Sequence, residues 1–380
     1  MKLTLDKSAL HQTVTRAQGA ISDRSMAQIS LKASKQNNLL EIAANDSVLA
    51  IYGQIACELT EEGTIFIPGR LFIDVIKQLP DGAVELSTEK GFLQILAGQS
   101  PAEFRMKIPL IEDMVWITPP EVDSSNEAAV SSSKLDYMIN QVQFCVEQDS
   151  PRNYGSVAFL HRPADNKLRL VGTDGFRLSY CEIEVDLPPD FLIEGICLSK
   201  RALQELQRMC QSGYESVRLR ISNDKTTLMA GVSGYEIYTR LSSVRFPNYQ
   251  GVLPTANLKP IRLSRLNLHH VTRRVLLAAD KNHALRLRFH DSCLTLSSRT
   301  MGSFESKETL KLEDGFKGAD TQLAINGKFL TDVFSTVPGE DLTLQFKSEN
   351  DPIVIIPKEE PKQCRSLHVL VPIKEHHTPR

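Results

Sequence analysis

Three aspartates lie in short turns between alternating apolar segments, and carboxylates repeated in this way could bind metal ions or transfer protons. They are Asp46 in "LLEIAANDSVLAI", Asp174 in "LRLVGTDGFRLSY" and Asp291 in "LRLRFHDSCLTLS". Asp side chains also accept hydrogen bonds from the amides of a turn and are frequent there without any chemical role. A catalytic carboxylate is not expected in three equivalent hairpins, so the repetition favours a structural role. Gly175 supplies the positive φ that a tight hairpin needs.

One alternative stays open, a metal-dependent enzyme acting on nucleic acid with Asp46, Asp174 and Asp291 as ligands. It requires the three turns to converge on one ion. The sequence contains no G-x-x-x-x-G-K-[ST], G-x-S-x-G or H-E-x-x-H segment, so ATP hydrolysis and the usual hydrolase arrangements have no support. His269 and His270 are adjacent and do not share a helical face. We therefore expect no catalytic residue, no metal and no cofactor.

The turns belong to a unit that occurs three times. One set of segments aligns without gaps, and each predicts a strand end followed by an amphipathic helix: "IPGRLFIDVIKQLP" from Ile67, "LSKRALQELQRMCQ" from Leu198 and "INGKFLTDVFSTVP" from Ile325. Apolar residues at i, i+3 and i+7 form the buried face of each helix. A second set predicts three more helices: "LTLDKSALHQTV" from Leu3, "AAVSSSKLDYMI" from Ala128 and "IRLSRLNLHHVT" from Ile261.

Each unit thus combines two helices with several antiparallel strands, which predicts an α+β fold repeated three times. Domain boundaries are expected in polar, proline-containing stretches. Two such stretches occur, at 118–129 and 253–260. The predicted domains are 1–125, 126–255 and 256–380.

Composition narrows the class of protein further. The chain has 380 residues, 41% of them hydrophobic, and a formal net charge of −2 from 44 basic and 46 acidic residues. Any binding to nucleic acid must therefore come from a local basic surface. The seven scattered cysteines indicate reduced thiols, and the polar start "MKLTLDKSAL" is unlike a signal peptide. We expect a cytoplasmic protein without a membrane-spanning segment.

Four segments, in order along the chain, make the sequence resemble the bacterial DNA polymerase III β subunits, or β sliding clamps. They are "IPGRLFIDVIKQLPDG", "TDGFRLSY", "RFPNYQGVLP" and "LHVLVPIK". The last three correspond to the family's T-D-G-H-R-L, F-P-D-Y-x-x-V-L-P and V-M-P-M-R. The resemblance covers nearly the whole chain. It implies three similar clamp domains, with two chains closing head to tail into a ring around duplex DNA as a non-catalytic processivity factor.

The resemblance also implies a pocket for short linear peptides of the Gln-Leu-x-Leu-Phe type. Family partners are the replicative polymerase α subunit, the clamp loader, translesion polymerases and repair proteins. Carried over position by position, the pocket is lined by Thr173, Gly175, Phe176, Arg177, Leu178, Pro247, Val252, Asn326, Phe329, Val369, Leu370, Val371, Pro372 and Ile373. Phe176 replaces the family's His, Gly251 replaces an Arg, and Asn282 aligns with an aromatic residue. These departures leave open a clamp-like paralogue that serves only as a scaffold.

Basic residues recur on one face of the second helix of each unit, where they could face DNA. They are Arg70 with Lys77, Arg201 with Arg208, and Lys328. The resemblance adds four family positions near DNA: Arg24, Arg152, Tyr154 and Lys200. The competing interpretation is a solvated helix face with ordinary i,i+3 and i,i+4 ion pairs, each contributing about 0.2–0.5 kcal/mol. A clamp needs a weakly attractive basic lining and sequence-independent binding to double-stranded DNA.

Closing a homodimeric ring requires an apolar patch at each end of the chain. The resemblance points to Phe104 and Met106 in the first unit and to Leu276 and Leu277 in the third. The leucine pair in "RRVLLAAD" is equally compatible with the core of a helix.

Overall fold

The computed structural model describes residues 1–21, 28–46, 48–98, 103–253, 260–300, 304–316 and 318–373. The chain divides into two compact units. Unit 1 contains Met1–Ser132 and Gln204–Leu241, and unit 2 contains Ser133–Leu203 and Ser242–Arg380. The second repeat therefore contributes residues to both units.

The predicted repeat is confirmed in the order of elements. The first repeat runs β1 (Lys2–Asp6), α1 (Lys7–Ala17), β2 (Gln28–Ser34), β3 (Leu39–Asn45), β4 (Leu49–Ala56), β5 (Glu58–Glu61), β6 (Gly63–Pro68), α2 (Gly69–Gln78), β7 (Ala83–Glu89), β8 (Phe92–Ala97) and β9 (Phe104–Pro109). The second runs β10 (Val122–Ser131), α3 (Ser132–Asn140), β11 (Val157–Ala164), β12 (Lys167–Thr173), β13 (Arg177–Glu184), β14 (Ile196–Ser199), α4 (Lys200–Cys210), β15 (Ser216–Ser222), β16 (Thr227–Val232) and β17 (Tyr235–Arg240). The third runs β18 (Ile261–Ser264), α5 (Arg265–Val275), β19 (Ala284–His290), β20 (Cys293–Thr300), β21 (Phe304–Lys311), β22 (Thr321–Asn326), α6 (Gly327–Thr336), β23 (Asp341–Gln345), β24 (Ile353–Pro357) and β25 (Cys364–Leu370).

Helices α2, α4 and α6 bury the stripe that the sequence predicts, because their apolar residues recur at helical spacing. The buried residues are Phe72, Val75 and Leu79; Leu203, Leu206 and Cys210; and Leu330, Val333 and Val337. Polar caps fix several helix starts. The carboxylate of Asp6 accepts hydrogen bonds from the amides of Ser8 and Ala9 at the start of α1. The side chain of Asn326 accepts one from Lys328 at the start of α6.

The strands of the described residues pair antiparallel and form four sheets. Unit 1 holds a five-stranded sheet, β5-β1-β7-β8-β9, and an eight-stranded sheet, β10-β15-β16-β17-β4-β3-β2-β6. Unit 2 holds an eight-stranded sheet, β14-β11-β12-β13-β25-β24-β23-β18, and a four-stranded sheet, β21-β20-β19-β22. In each eight-stranded sheet, neighbouring repeats share one continuous hydrogen-bonded ladder, through β4 with β17 and through β13 with β25. Within each unit, the eight-stranded sheet thus joins strands of two neighbouring repeats edge to edge.

Two of the three turn aspartates cap their hairpins as expected. Asp46 accepts hydrogen bonds from the amides of Val48 and Leu49, each at 2.8 Å. Asp174 does the same in the β12–β13 turn. The expectation is wrong for Asp291, because the β19–β20 turn is one residue shorter. There Asp291 itself adopts a φ of 45°, and its side chain is 99% exposed.

All seven cysteines are free thiols, and five of them are buried. Among the described residues, the helices are too short or too polar to span a lipid bilayer.

Candidate functional site

The β12–β13 turn is held by a small set of hydrogen bonds around Asp174. Its Oδ1 accepts hydrogen bonds from the amides of Phe176 (2.9 Å) and Arg177 (3.0 Å), and its Oδ2 accepts one from Nε of Arg177 (2.9 Å). The Thr173 hydroxyl donates to the carbonyl of Arg177 and accepts from the amide of Gly175. Gly175 has a φ of 87°, and a Cβ there would collide with the guanidinium of Arg152. Asp174 therefore shapes the turn, and its carboxylate is held by two turn amides and by Arg177.

Arg177 connects this turn to the third repeat. Its guanidinium is buried and its Nη1 donates to Oδ2 of Asp332 on α6 at 2.6 Å. The charge also lies over the rings of Phe329, at 4.2 Å, and Phe144, at 5.5 Å. Two carboxylates and two aromatic faces compensate for the burial of one cation.

Beside the turn lies a pocket of about 170 Å³ with mainly apolar walls. It is lined by Tyr154, Thr173, Gly175, Arg177, Leu178, Pro247, Asn248, Tyr249, Val252, Val369 and Val371. Its floor is a buried cluster that includes Val171, Leu178, Tyr249 and Val369. An apolar floor with a few polar groups at the rim is suited to a short peptide segment.

Tyr249 is fixed by two polar residues behind the pocket. Its hydroxyl lies 2.9 Å from Nε2 of His161 and accepts a hydrogen bond from Nη1 of Arg169 at 3.0 Å. Burial, followed by the charge of Arg169, lowers the pKa of His161 to about 4, so the ring is neutral near pH 7 and accepts the tyrosine proton. Burial would raise the pKa of Glu182, but hydrogen bonds from Lys167 and Arg169 outweigh it and lower this pKa.

The structure brings together part of the predicted pocket set. The residues that line the pocket are Thr173, Gly175, Arg177, Leu178, Pro247, Val252, Val369 and Val371. The other six predicted residues are not among the lining residues: Phe176, Asn326, Phe329, Leu370, Pro372 and Ile373. Leu370 is 1% exposed and belongs to the sheet core, and the amide of Ile373 donates to the carbonyl of Ala324. Sequence reasoning missed Asn248 and Tyr249, although both stand inside the quoted "RFPNYQGVLP".

Arg152 and Tyr154, predicted to face DNA, lie at this pocket. Nη1 of Arg152 donates to the carbonyl of Asp174 at 2.8 Å, and its guanidinium lies 4.6 Å from the ring centre of Phe176. Tyr154 lines the pocket wall. Phe176 is 55% exposed and stands outside the pocket lining.

The basic residues of the second helices differ in their surroundings. Arg70, Lys77, Arg208 and Lys328 are exposed, and Lys200 and Arg201 are half-buried. The predicted i,i+3 ion pair forms between Arg208 and the buried Glu205. The equivalent acid of α6 is Asp332, which pairs with Arg177 instead. Arg24 lies outside the described residues.

The two surfaces predicted to form the dimer interface expose apolar side chains on edge strands. β9 is the last strand of the five-stranded sheet, and its half-buried Phe104 and Met106 lie on one face. β21 is the last strand of the four-stranded sheet and begins at Phe304, which is 70% exposed. The leucine pair separates into two environments. Leu277 is 88% exposed, whereas Leu276 packs against the core of the third repeat.

Within the described ranges, no group of three or more His, Cys, Asp or Glu side chains is close enough to hold a metal ion. The Asp174 carboxylate is also engaged by its turn and by Arg177. The metal-dependent alternative is therefore not favoured.

Comparison with solved structures defines the fold class. The DNA polymerase sliding clamp of Pseudomonas aeruginosa, solved with a ligand, superposes with a TM-score of 0.89 at 21% identity, over 99% of this chain and 100% of that one. The DNA polymerase III beta subunit of Thermotoga maritima gives a TM-score of 0.87 at 23% identity, with 99% and 100% coverage. The fold is that of a three-domain DNA clamp.

Comparison of sequences identifies the family. Models of the DNA polymerase III beta subunit match in three parts: the N-terminal domain at residues 1–114, the central domain at 129–248 and the C-terminal domain at 250–372. The beta sliding clamp of Caulobacter vibrioides is 24% identical over 384 residues, covering 98% of this chain and all of that one. This chain belongs to the bacterial DNA polymerase III beta subunits, the β sliding clamp family.

Proposed function

We propose that two copies of this clamp close into a ring around duplex DNA and hold partner proteins through the pocket beside the β12–β13 turn. The observation that carries the proposal is the pocket itself, where two separate family segments, "TDGFRLSY" and "RFPNYQGVLP", meet strand β25. The partners are short linear peptides of the replicative polymerase α subunit, the clamp loader, translesion polymerases and repair proteins. The protein is a non-catalytic, cytoplasmic processivity factor without a cofactor.

Ring closure is supported by the two edge strands. An unpaired edge offers amide and carbonyl groups to another strand, and apolar side chains on it exclude water from the contact. We assign Phe104 and Met106 of one copy, and Leu277 and the neighbouring edge strand β21 of the other, to the dimer interface. Leu276 supports this surface from within the core. We keep 1–125, 126–255 and 256–380 as the proposed domain boundaries.

The cations of the second helices, which are exposed except for the half-buried Arg201, are suited to weak DNA contact. Arg70 and Lys77 project from α2, Arg201 and Arg208 from α4, and Lys328 from α6. Point charges on flexible side chains attract phosphates without reading bases, which permits sliding. We assign Arg24 and Lys200 to the same lining by family position.

The scaffold alternative requires a pocket that can no longer bind a peptide. The substitutions at the family positions do not fill it: Phe176 stacks on Arg152 outside the lining, and a Cβ at Gly251 would meet no atom within 4 Å. The geometry therefore favours a clamp that binds peptides.

Retention on circular DNA tests the ring. Loaded protein should stay on a closed circle and leave within minutes when the circle is cut once, because encirclement is lost only at free ends. Equal loss from circular and linear DNA would show ordinary surface binding and contradict the proposal.

A further inference from the structure

A groove continues the pocket along the same two strands. The cross-strand pair Leu178 with Val369 lines the pocket, and the next pairs on that face are Tyr180 with Leu367 and Glu182 with Arg365. Side chains two apart on a strand point to the same side of the sheet. Tyr180, Leu367, Glu182 and Arg365 all line a second concavity of about 500 Å³. The pocket and the groove are therefore consecutive stretches of one sheet surface.

The outer wall of the groove is the segment 358–363 before β25, in which two lysines and two glutamates balance. Glu359 does not line the groove, whereas Lys362 does, together with Arg365 of β25. Lys362 and Arg365 are exposed, and neither forms an ion pair within 4 Å with a described residue. The acids of the groove are mostly engaged. Glu182 is paired with Lys167 and Arg169.

Glu360, also in the groove, is engaged in the same way. Its Oε1 accepts hydrogen bonds from the amide and hydroxyl of Ser366, at 2.5 and 2.8 Å, and from the hydroxyl of Tyr137 at 3.2 Å. Glu184 is the one groove carboxylate for which the described residues show no side-chain partner. Within the described ranges, the groove lining therefore has two cations without an ion-pair partner, Lys362 and Arg365, and one such carboxylate, Glu184. This excess of positive charge favours an acidic ligand.

Arg169 joins the two concavities physically. It donates a hydrogen bond to Tyr249, which lines the pocket, and its guanidinium lies 4.6 Å from the ring centre of Tyr180, which lines the groove. It also pairs with Glu182. One rigid side chain thus forms the boundary between the pocket floor and the groove floor.

We propose that the groove holds the acidic flank of the peptide whose core fills the pocket, with Lys362 and Arg365 as its contacts. This inference rests on the proposed peptide-binding function. Glu182 is four positions after Leu178 on β13. This is about 13 Å in an extended strand, so a flank of four extended residues reaches the far end. The groove then determines which partners bind more tightly, while the pocket determines that they bind at all.

Titration of full-length protein with three synthetic peptides tests the inference. They are a Gln-Leu-Ser-Leu-Phe core, and the same core with four glutamates at its N-terminal or at its C-terminal end. At low salt, one extended peptide should bind about threefold to tenfold more tightly than the core, because exposed charge pairs each contribute modestly. A four-glutamine flank should give no such gain.

The double variant Lys362→Glu with Arg365→Glu should bind the core as wild type does and lose the gain from the acidic flank. Lys35→Glu with Lys347→Glu changes the net charge equally, at exposed positions outside the groove, and should keep the gain. If both double variants lost the affinity gain from the acidic flank equally, the gain would be a general charge effect, and the proposed role of the groove would be wrong. If wild-type protein bound the core peptide but gained no affinity from either acidic flank, the groove proposal alone would be wrong. If it did not bind the core peptide, both the pocket proposal and the groove proposal would be wrong.

Discussion

The guanidinium of Arg177 in the second repeat and the carboxylate of Asp332 in the third lie 2.6 Å apart. Arg177 is also fixed by Asp174, the residue that shapes the turn beside the pocket. The proposed peptide site and the contact between α6 and the β12–β13 hairpin therefore depend on the same side chain.

Replacing Asp332 with Asn should destabilise the protein by about 1–2 kcal/mol, because a buried guanidinium loses one of its two carboxylates. It should also weaken binding of the core peptide, since Arg177 lines the pocket. Urea unfolding and peptide titration measure the two effects. Asp74→Asn changes the equivalent, exposed acid of α2 and should alter neither quantity. Unchanged unfolding of the Asp332 variant would show that the ion pair contributes nothing.

Val252 offers a direct test of the pocket, because it is 45% exposed at the rim. Val252→Asp should weaken the core peptide by about tenfold or more, since a carboxylate at an apolar contact loses hydration without gaining a partner. Val115→Asp, at an 81% exposed position outside the pocket, is the matched control. Equal affinities of the two variants would remove Val252 from the site.

Leu277→Lys should convert the dimer to monomers in sedimentation experiments. The residue is 88% exposed, so the fold tolerates the change, while a buried lysine at a dimer contact is costly. Leu266→Lys on α5, 42% exposed, should leave the dimer intact. A dimer that persists in the Leu277 variant would contradict the interface assignment.

Acid should destabilise the protein below about pH 6.5 because two buried histidines resist protonation. Burial lowers the pKa of His161 to about 4 and that of His368 to about 3. At pH values between these folded-state pKa values and the unfolded pKa near 6.5, the unfolded chain binds more protons than the folded chain. The free energy of unfolding therefore decreases as the pH is lowered, by up to about 1.4 kcal/mol per pH unit for each histidine. His161→Gln should flatten this slope, whereas His270→Gln on the exposed face of α5 should not. Denaturation at pH 7.5 and 5.0 measures the difference, and equal slopes in wild type and the His161 variant would refute it.

Charge reversal of Arg70 and Lys77 should weaken DNA binding and reduce its salt dependence. Each lost phosphate contact reduces the magnitude of the slope of log K against log salt by about 0.9. If both residues contact DNA, the slope of the double variant should therefore be smaller in magnitude by about 2. Filter binding at several salt concentrations gives the slope. Lys35→Glu with Lys347→Glu supplies an equal change in net charge, and identical slopes for the two double variants would argue against the lining.

Much of the fold follows from periodicity. The stripe that contains Phe72 and its counterparts in α4 and α6 predicts three equivalent helices, and the structure confirms them. The error at Asp291 has a simple cause: a turn shorter by one residue places the aspartate in the left-handed region, where its carboxylate points to solvent. Sequence alignment alone does not show such a change of register.

The candidate site was less predictable because it depends on long-range contacts. Tyr249 belongs to a segment whose sequence does not show what it contacts, and its hydrogen bonds with His161 and Arg169 are long-range contacts that position it at the pocket. Leu276 and Leu277 are adjacent and chemically identical, yet one packs inward and the other outward. Their difference arises from the end of α5 in the folded chain, which local propensity does not determine.

Strand β25 enters the middle of a sheet whose β11, β12 and β13 are synthesised about two hundred residues earlier. During synthesis on the ribosome, one edge of β13 therefore stays unpaired until residue 371 has emerged. Pairing between strands so far apart in sequence is slow to form. Since Val369 and Val371 also line the pocket, a chain that stops before β25 leaves an open sheet edge and an incomplete pocket.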